Sequence, residues 1–166
     1  MSLRSILASE GLIKTAKVYV SPKVAVTPAM QEAMVVFEKL WDYGGSLEER
    51  GGAVHLSTYR EGYLPVRIPA EYGSYPSVGG DYEVGYTKSD ARTEELRAMV
   101  SVDVSFFPDG KVQVELSEPK YPVSGRSGWA SNDEKILSQG RGFGPAGKRA
   151  LLAAKKRFEY WQAQFV

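Results

Sequence analysis

A chain of 166 residues, 43% hydrophobic and 25% charged, can bury a real core and has the balance of an ordinary globular domain. It contains no cysteine and one histidine, His55, which excludes disulfides, zinc–thiolate sites, thiol nucleophiles and His-rich metal sites. No apolar run reaches membrane length, so no membrane partner is expected, and no convergent motif calls for a cofactor.

The net charge of +1 hides an uneven layout. Residues 1–30 carry four basic side chains against one acid, and residues 140–166 carry six against one. The middle carries eleven against eighteen. Two basic ends around an acidic body either neutralise each other or meet an anionic partner.

In chain order, residues 1–17 read as a short docking helix with Leu3, Ile6 and Leu7 on one side. The segment has some features of a mitochondrial presequence, but Glu10 and the lack of an Arg-rich run weigh against that. "VYV" at 18–20 and "VAV" at 24–26 are short strand candidates around a Ser-Pro turn. Thr27-Pro28 is a helix start, with a capping hydroxyl and proline in the first turn. Met30, Met34, Phe37 and Trp41 then recur on one side of a helix over 29–42. Gly44-Gly45 ends it.

Residues 43–92 form a long Tyr/Gly/Pro-rich segment, loop-rich, with short strands predicted at 53–59 and 63–68. "DYEVGY" at 81–86 alternates and is a third strand candidate. The clearest local structure is "AMVSVDVSFFPDGKVQVELSEP". Apolar residues alternate on both sides of Pro108-Asp109-Gly110, which predicts a hairpin with one buried face. A three-residue tip with Gly110 left-handed sets Phe106 against Val112, Val104 against Val114 and Val102 against Leu116. "NDEKILSQ" reads as a helical turn. A basic amphipathic helix follows over 146–165, with Leu151, Ala154, Phe158, Trp161 and Phe165 as its apolar stripe. These elements predict a single α+β domain over 1–166. It has a small antiparallel sheet, a hairpin or meander, packed by two main helices, with a short N-terminal helix in addition.

Four candidate sites emerge. Gly142 to Lys148 spells G-x-x-x-x-G-K, the start of a phosphate-binding loop. Such a loop needs a preceding strand and a Ser or Thr after the lysine; here Arg149 stands there. The reading that survives is a phosphate or nucleic-acid grip by Arg141, Lys148, Arg149, Lys155 and Lys156 at a helix N-terminus. Second, the predicted register sets Asp103 opposite Glu115, a like-charge pair that a divalent metal would relieve. Metal-assisted phosphodiester cleavage would be the matching chemistry.

Third, Tyr59, Tyr63, Tyr72, Tyr75, Tyr82 and Tyr86 lie near Arg60 and Arg67. Tyr and Arg serve protein interfaces and base stacking alike. Fourth, Pro108-Asp109 and Glu118-Pro119-Lys120 imitate a PD…ExK nuclease pattern. Asp109 at the tip and Glu118 at the strand's far end would stand roughly 25 Å apart, too far to share a metal. His55 on an alternating strand reads as structural.

With one His, no Cys and no convergent motif, the chain reads as a non-enzymatic subunit that docks into a larger protein assembly, such as a virion. Its partners would be other protein subunits, further copies of itself included, and its location the cytoplasm or a virion. The alternatives are nucleic-acid binding through the basic C-terminal loop and helix, and a metal-dependent phosphodiesterase built on Asp103 and Glu115.

Overall fold

The computed structural model describes residues 18–42, 44–68, 71–76, 84–89, 91–126 and 128–166. The expected docking helix over 1–17 lies outside them, as does Tyr82.

Two helices form where the sequence places them. α1 spans Pro28–Leu40, and Thr27 caps it by accepting a bond from the Met30 N–H at 3.3 Å. α2 spans Gly144–Gln164. Their apolar stripes are buried: Met30, Ala33, Phe37 and Trp41 from the α1 region, and Ala150, Leu151, Ala154, Phe158 and Trp161 from α2.

The described residues also form ten strands: β1 Val18–Val20, β2 Gly45–Arg50, β3 Ala53–Ile68, β4 Glu71–Pro76, β5 Val84–Ser89, β6 Arg92–Phe106, β7 Lys111–Pro119, β8 Gly125–Arg126, β9 Trp129–Ala130 and β10 Asn132–Arg141. "VAV" at 24–26 is not a strand.

The expected small antiparallel sheet is instead large and mixed. Eight strands share one sheet in the order β1-β2-β3-β6-β7-β10, with β8 and β9 attached beside β6. β1 runs parallel to β2 because α1 crosses between them, the connection a parallel pair needs. β4 and β5 form a separate two-stranded sheet, so "DYEVGY" supplies part of β5 rather than a third strand of the hairpin. The two strands expected at 53–59 and 63–68 are one strand of 16 residues. It pairs with β6 from Val54 to Ile68.

Proline and glycine inside that stretch read as breakers. Pro65 nevertheless sits on the side of β3 that faces away from β6, where no ladder N–H is required. The β6–β7 hairpin takes the predicted register, with Phe106 against Val112, Val104 against Val114, Val102 against Leu116 and Asp103 against Glu115. Gly110 at the tip has φ +90°, a backbone that favours glycine.

"NDEKILSQ" is strand, not helical turn: it lies within β10, paired antiparallel to β7. A register shift between Ile136 and Ser138 leaves Leu137 as an extra residue. The bulge breaks the alternation a strand reading depends on.

Both helices lie on one face of the sheet. Their buried residues join Leu47, Leu56, Val100, Val102, Val104, Val114 and Leu116 in one core. At its centre Trp41 packs on Phe37, ring centroids 4.7 Å apart, and edge-on against Phe158 at 5.2 Å. Phe158→Ala is expected to cost about 3–5 kcal/mol in a denaturant titration. Leu152→Ala, on the exposed side of the same helix, should stay within about 0.5 kcal/mol of wild type.

Candidate functional site

The opposite face of the sheet carries neither helix. Strand alternation places Ser46, His55, Ser57, Tyr59, Glu61, Tyr63, Arg97, Asp103, Ser105 and Glu115 there. Its middle is polar. Asp103 and Glu115 do stand opposite each other, but Asp103 is already engaged. Its two oxygens lie 3.0 and 3.1 Å from His55 Nδ1, and Arg50 approaches to 3.6 Å.

Glu115 takes the remaining strain. Partial burial, then Glu134 and Asp103, push its carboxyl above the usual range. Among the described residues no group of three or more His, Cys, Asp or Glu side chains is placed to hold a metal ion.

His55, Asp103 and Ser105 contain the residue types of a nucleophilic triad. The geometry is different: Ser105 Oγ lies 3.1 Å from Nδ1, the same ring nitrogen that Asp103 engages. A relay needs the hydroxyl on one nitrogen and the carboxylate on the other. The trio is not arranged as such a relay.

The glycine-rich loop has its strand and its helix, β10 and α2. What fills it is the protein's own Phe143. That side chain is buried, and a Cβ on Gly147 would stand 2.4 Å from its ring. Gly147 makes room for the aromatic ring, while Gly142 and Gly144 have open space around them and take positive φ. Arg149 still occupies the position where a magnesium-binding hydroxyl would be needed.

The basic residues of the C-terminal region divide. Lys155 lies over the Trp41 ring at 5.9 Å. Arg157, outside the predicted set, binds Glu118 at 2.6 Å. Arg141, Lys148, Arg149 and Lys156 are exposed, and no ion pair engages them among the described residues.

Glu118, from the nuclease-like pattern, is 4% exposed and points into the helix-bearing side. Lys135 at 3.0 Å, Arg157 at 2.6 Å and Trp161 Nε1 at 2.9 Å all donate to it. Burial alone would push its carboxyl up; the three donors outweigh that and hold it below the usual range.

Of the six tyrosines, Tyr59 is 59% exposed and Tyr63 47%. Tyr72 and Tyr75 lie on β4 and Tyr86 on β5, not on the main sheet. The face also holds a residue the sequence did not flag. Trp129, 42% exposed, stacks under the Arg97 guanidinium at 4.7 Å, and Arg97 in turn donates to Glu61 at 2.8 Å. An isolated Trp in a Gly/Ser loop was the available signal.

Beside this platform the sheet has, among the described residues, an open edge. β2 pairs with β3 only as far as Ser57, and β3 runs on to Ile68. The Tyr63 carbonyl accepts a bond from the Val166 N–H at 2.8 Å, on the side away from β6. N–H and C=O of one residue share a side in an antiparallel ladder, and sides alternate. Tyr59 and Glu61 therefore also turn theirs to the open edge. Among the described residues Val166 supplies the one backbone bond to that edge beyond Ser57.

A notch of about 600 Å³ lies alongside, lined by Gly44, Gly45, Ser46 and residues 57–61. No protein family, curated protein or solved structure matches this chain. Among the described residues no helix is long and apolar enough to cross a membrane.

A depressed carboxyl stabilises the fold fully above the ordinary glutamate range, near 4.3, and loses that contribution as pH falls through its folded value. Glu118→Gln should therefore cost about 1–3 kcal/mol at neutral pH and flatten the acid limb of a stability–pH curve. A variant whose acid limb parallels wild type would contradict this.

Proposed function

We propose that this domain is a non-catalytic docking subunit that takes an extended segment of another protein along the open edge of β3. One observation carries the reading: the stretch of β3 beyond Ser57 keeps backbone donors and acceptors turned outward beside a notch. Such an edge is a template for strand addition, and proteins without use for one usually cover or blunt it.

The chain's own Val166 already bonds there, so an extended backbone fits. Phe165 comes with it, and its ring lies where any side chain on Gly62 would be. The adjoining side chains suit a protein partner. Tyr59, Tyr63, Trp129 and Arg97 are of the types that carry interface energy. Tyr59 and Tyr63 lie on the edge strand itself, where backbone pairing supplies affinity and alternate side chains supply choice, and Arg97 and Trp129 adjoin them on the same face from β6 and β9.

Tyr59→Pro removes one outward N–H and leaves the β6 ladder intact, since the Tyr59 N–H faces away from it. Purified under mild conditions from its native source, the wild-type chain should carry a protein partner that survives nuclease treatment. The Pro variant should lose it while keeping its unfolding midpoint. A wild-type chain recovered alone, or a partner retained by the variant, would contradict the reading.

A second reading rests on Arg141, Lys148, Arg149 and Lys156, exposed and without an acid partner among the described residues. Four cations without acids suit a phosphate backbone. If they bind nucleic acid, log affinity should fall with log salt by about 0.9 per phosphate contact on duplex DNA. Changing Lys148, Arg149 and Lys156 to Glu should then abolish binding; unchanged binding would end this reading.

A further inference from the structure

A second cavity, of about 370 Å³, lies at the end of the sheet away from the β3 stretch beyond Ser57. It opens between the start of α1, the β2–β3 turn and the β6–β7 tip. Its volume lies within the usual range for small-molecule sites, roughly 300–1,000 Å³. Met30, Val54, Phe106 and Val112 give it an apolar wall.

The polar groups at this cavity are few and of mixed sign. Lys111 lines it. The Lys111 ammonium lies 5.2 Å from the Phe107 ring centroid and has no acid partner among the described residues. The start of α1 lines it too. No acid stands in that helix's first turn, so the positive end of the helix dipole is uncompensated. Of the first-turn N–H groups, those of Met30 and Gln31 are bonded to Thr27 and Pro28 has none, which leaves that of Ala29. Against these stands one acid, Glu49.

We propose that this cavity binds a small monocarboxylate with an apolar body. The body lies among Met30, Val54, Phe106 and Val112. The carboxylate meets Lys111 and the Ala29 N–H. Burying apolar surface supplies most of the affinity, and the cationic side of the cavity selects the charge. Glu49 disfavours a second negative charge, which restricts the ligand to a monoanion. This site is separate from the β3 edge and does not depend on the docking reading.

The test uses three eight-carbon probes on the full chain: octanoate, octanol and octylammonium. Binding is followed by the methyl resonances of Met30, Val54 and Val112. Octanoate should shift these methyls, with at least tenfold higher affinity than octanol, and octylammonium should be weakest. Lys111→Ala should remove the preference of octanoate over octanol. Glu49→Gln should tighten octanoate severalfold. The probe comparison on wild type stands even if a variant misfolds. Absence of methyl shifts with octanoate would overturn the proposal, and so would equal affinity for all three probes or a preference for octylammonium.

Discussion

The rest of this structure depends on where Trp41 is seated. Its ring is fully buried, flanked by Phe37 and Phe158, and it joins the end of α1 to the middle of α2 and the sheet. Burying so large a ring carries a cost: its Nε1 finds no hydrogen-bond acceptor among the described residues, a loss of about 1–3 kcal/mol that aromatic packing and area burial must exceed. Because Trp41 is held there, the chain can begin β2 only a few residues later, at Gly45. A side chain at Gly45 would collide with the Ser57 carbonyl and the Phe37 ring. β2 therefore starts tight against the core and cannot reach back along β3.

That limit sets the architecture of the exposed side. Beyond Ser57, β3 and β6 continue together as an arm, joined beside β6 by β9 at Arg97, and among the described residues β3 has only Val166 on its other side. Two-stranded ribbons are marginal alone. Here the tie from Val166, the Phe165 ring against Gly62 and the bridge between Glu61 and Arg97 brace the arm. The core side of the same sheet is closed by the Glu118 network, which fastens α2 to β7 and β10 through Arg157, Trp161 and Lys135. The outer side is held by polar pairs instead, with His55, Arg50 and Ser105 offsetting Asp103. The apolar half fixes the fold; the polar half remains solvated and leaves its edge and its Tyr/Trp/Arg platform in reach of another molecule.

What could be read from the sequence was local. Strict alternation around Pro108-Asp109-Gly110 fixed the hairpin register, and with it the facing of Asp103 and Glu115. The helical stripes of α1 and α2 were legible for the same reason. The exposure of Tyr59 and Tyr63 was not legible, since tyrosine on a strand packs or faces solvent according to register. The open edge was not legible, because it depends on where a different strand stops, and that stop is decided by Trp41 packing across the core. The length of β3 was hidden by Pro65 and Gly62, which break a strand only when their missing groups are needed. β10 was hidden by the bulge at Leu137. The role of Glu118 could not be inferred either, since Lys135, Arg157 and Trp161 reach it from two other elements.

Amide hydrogen exchange along β3 reports on the open edge itself. In the isolated chain protection should alternate: Thr58, Arg60 and Gly62, bonded toward β6, should exchange slowly, while Tyr59 and Glu61 should exchange at near-solvent rates. In the presence of the partner Tyr59 and Glu61 should become protected. Equal, strong protection of all five amides in the isolated chain would mean that the edge is already closed, and the docking account would fail.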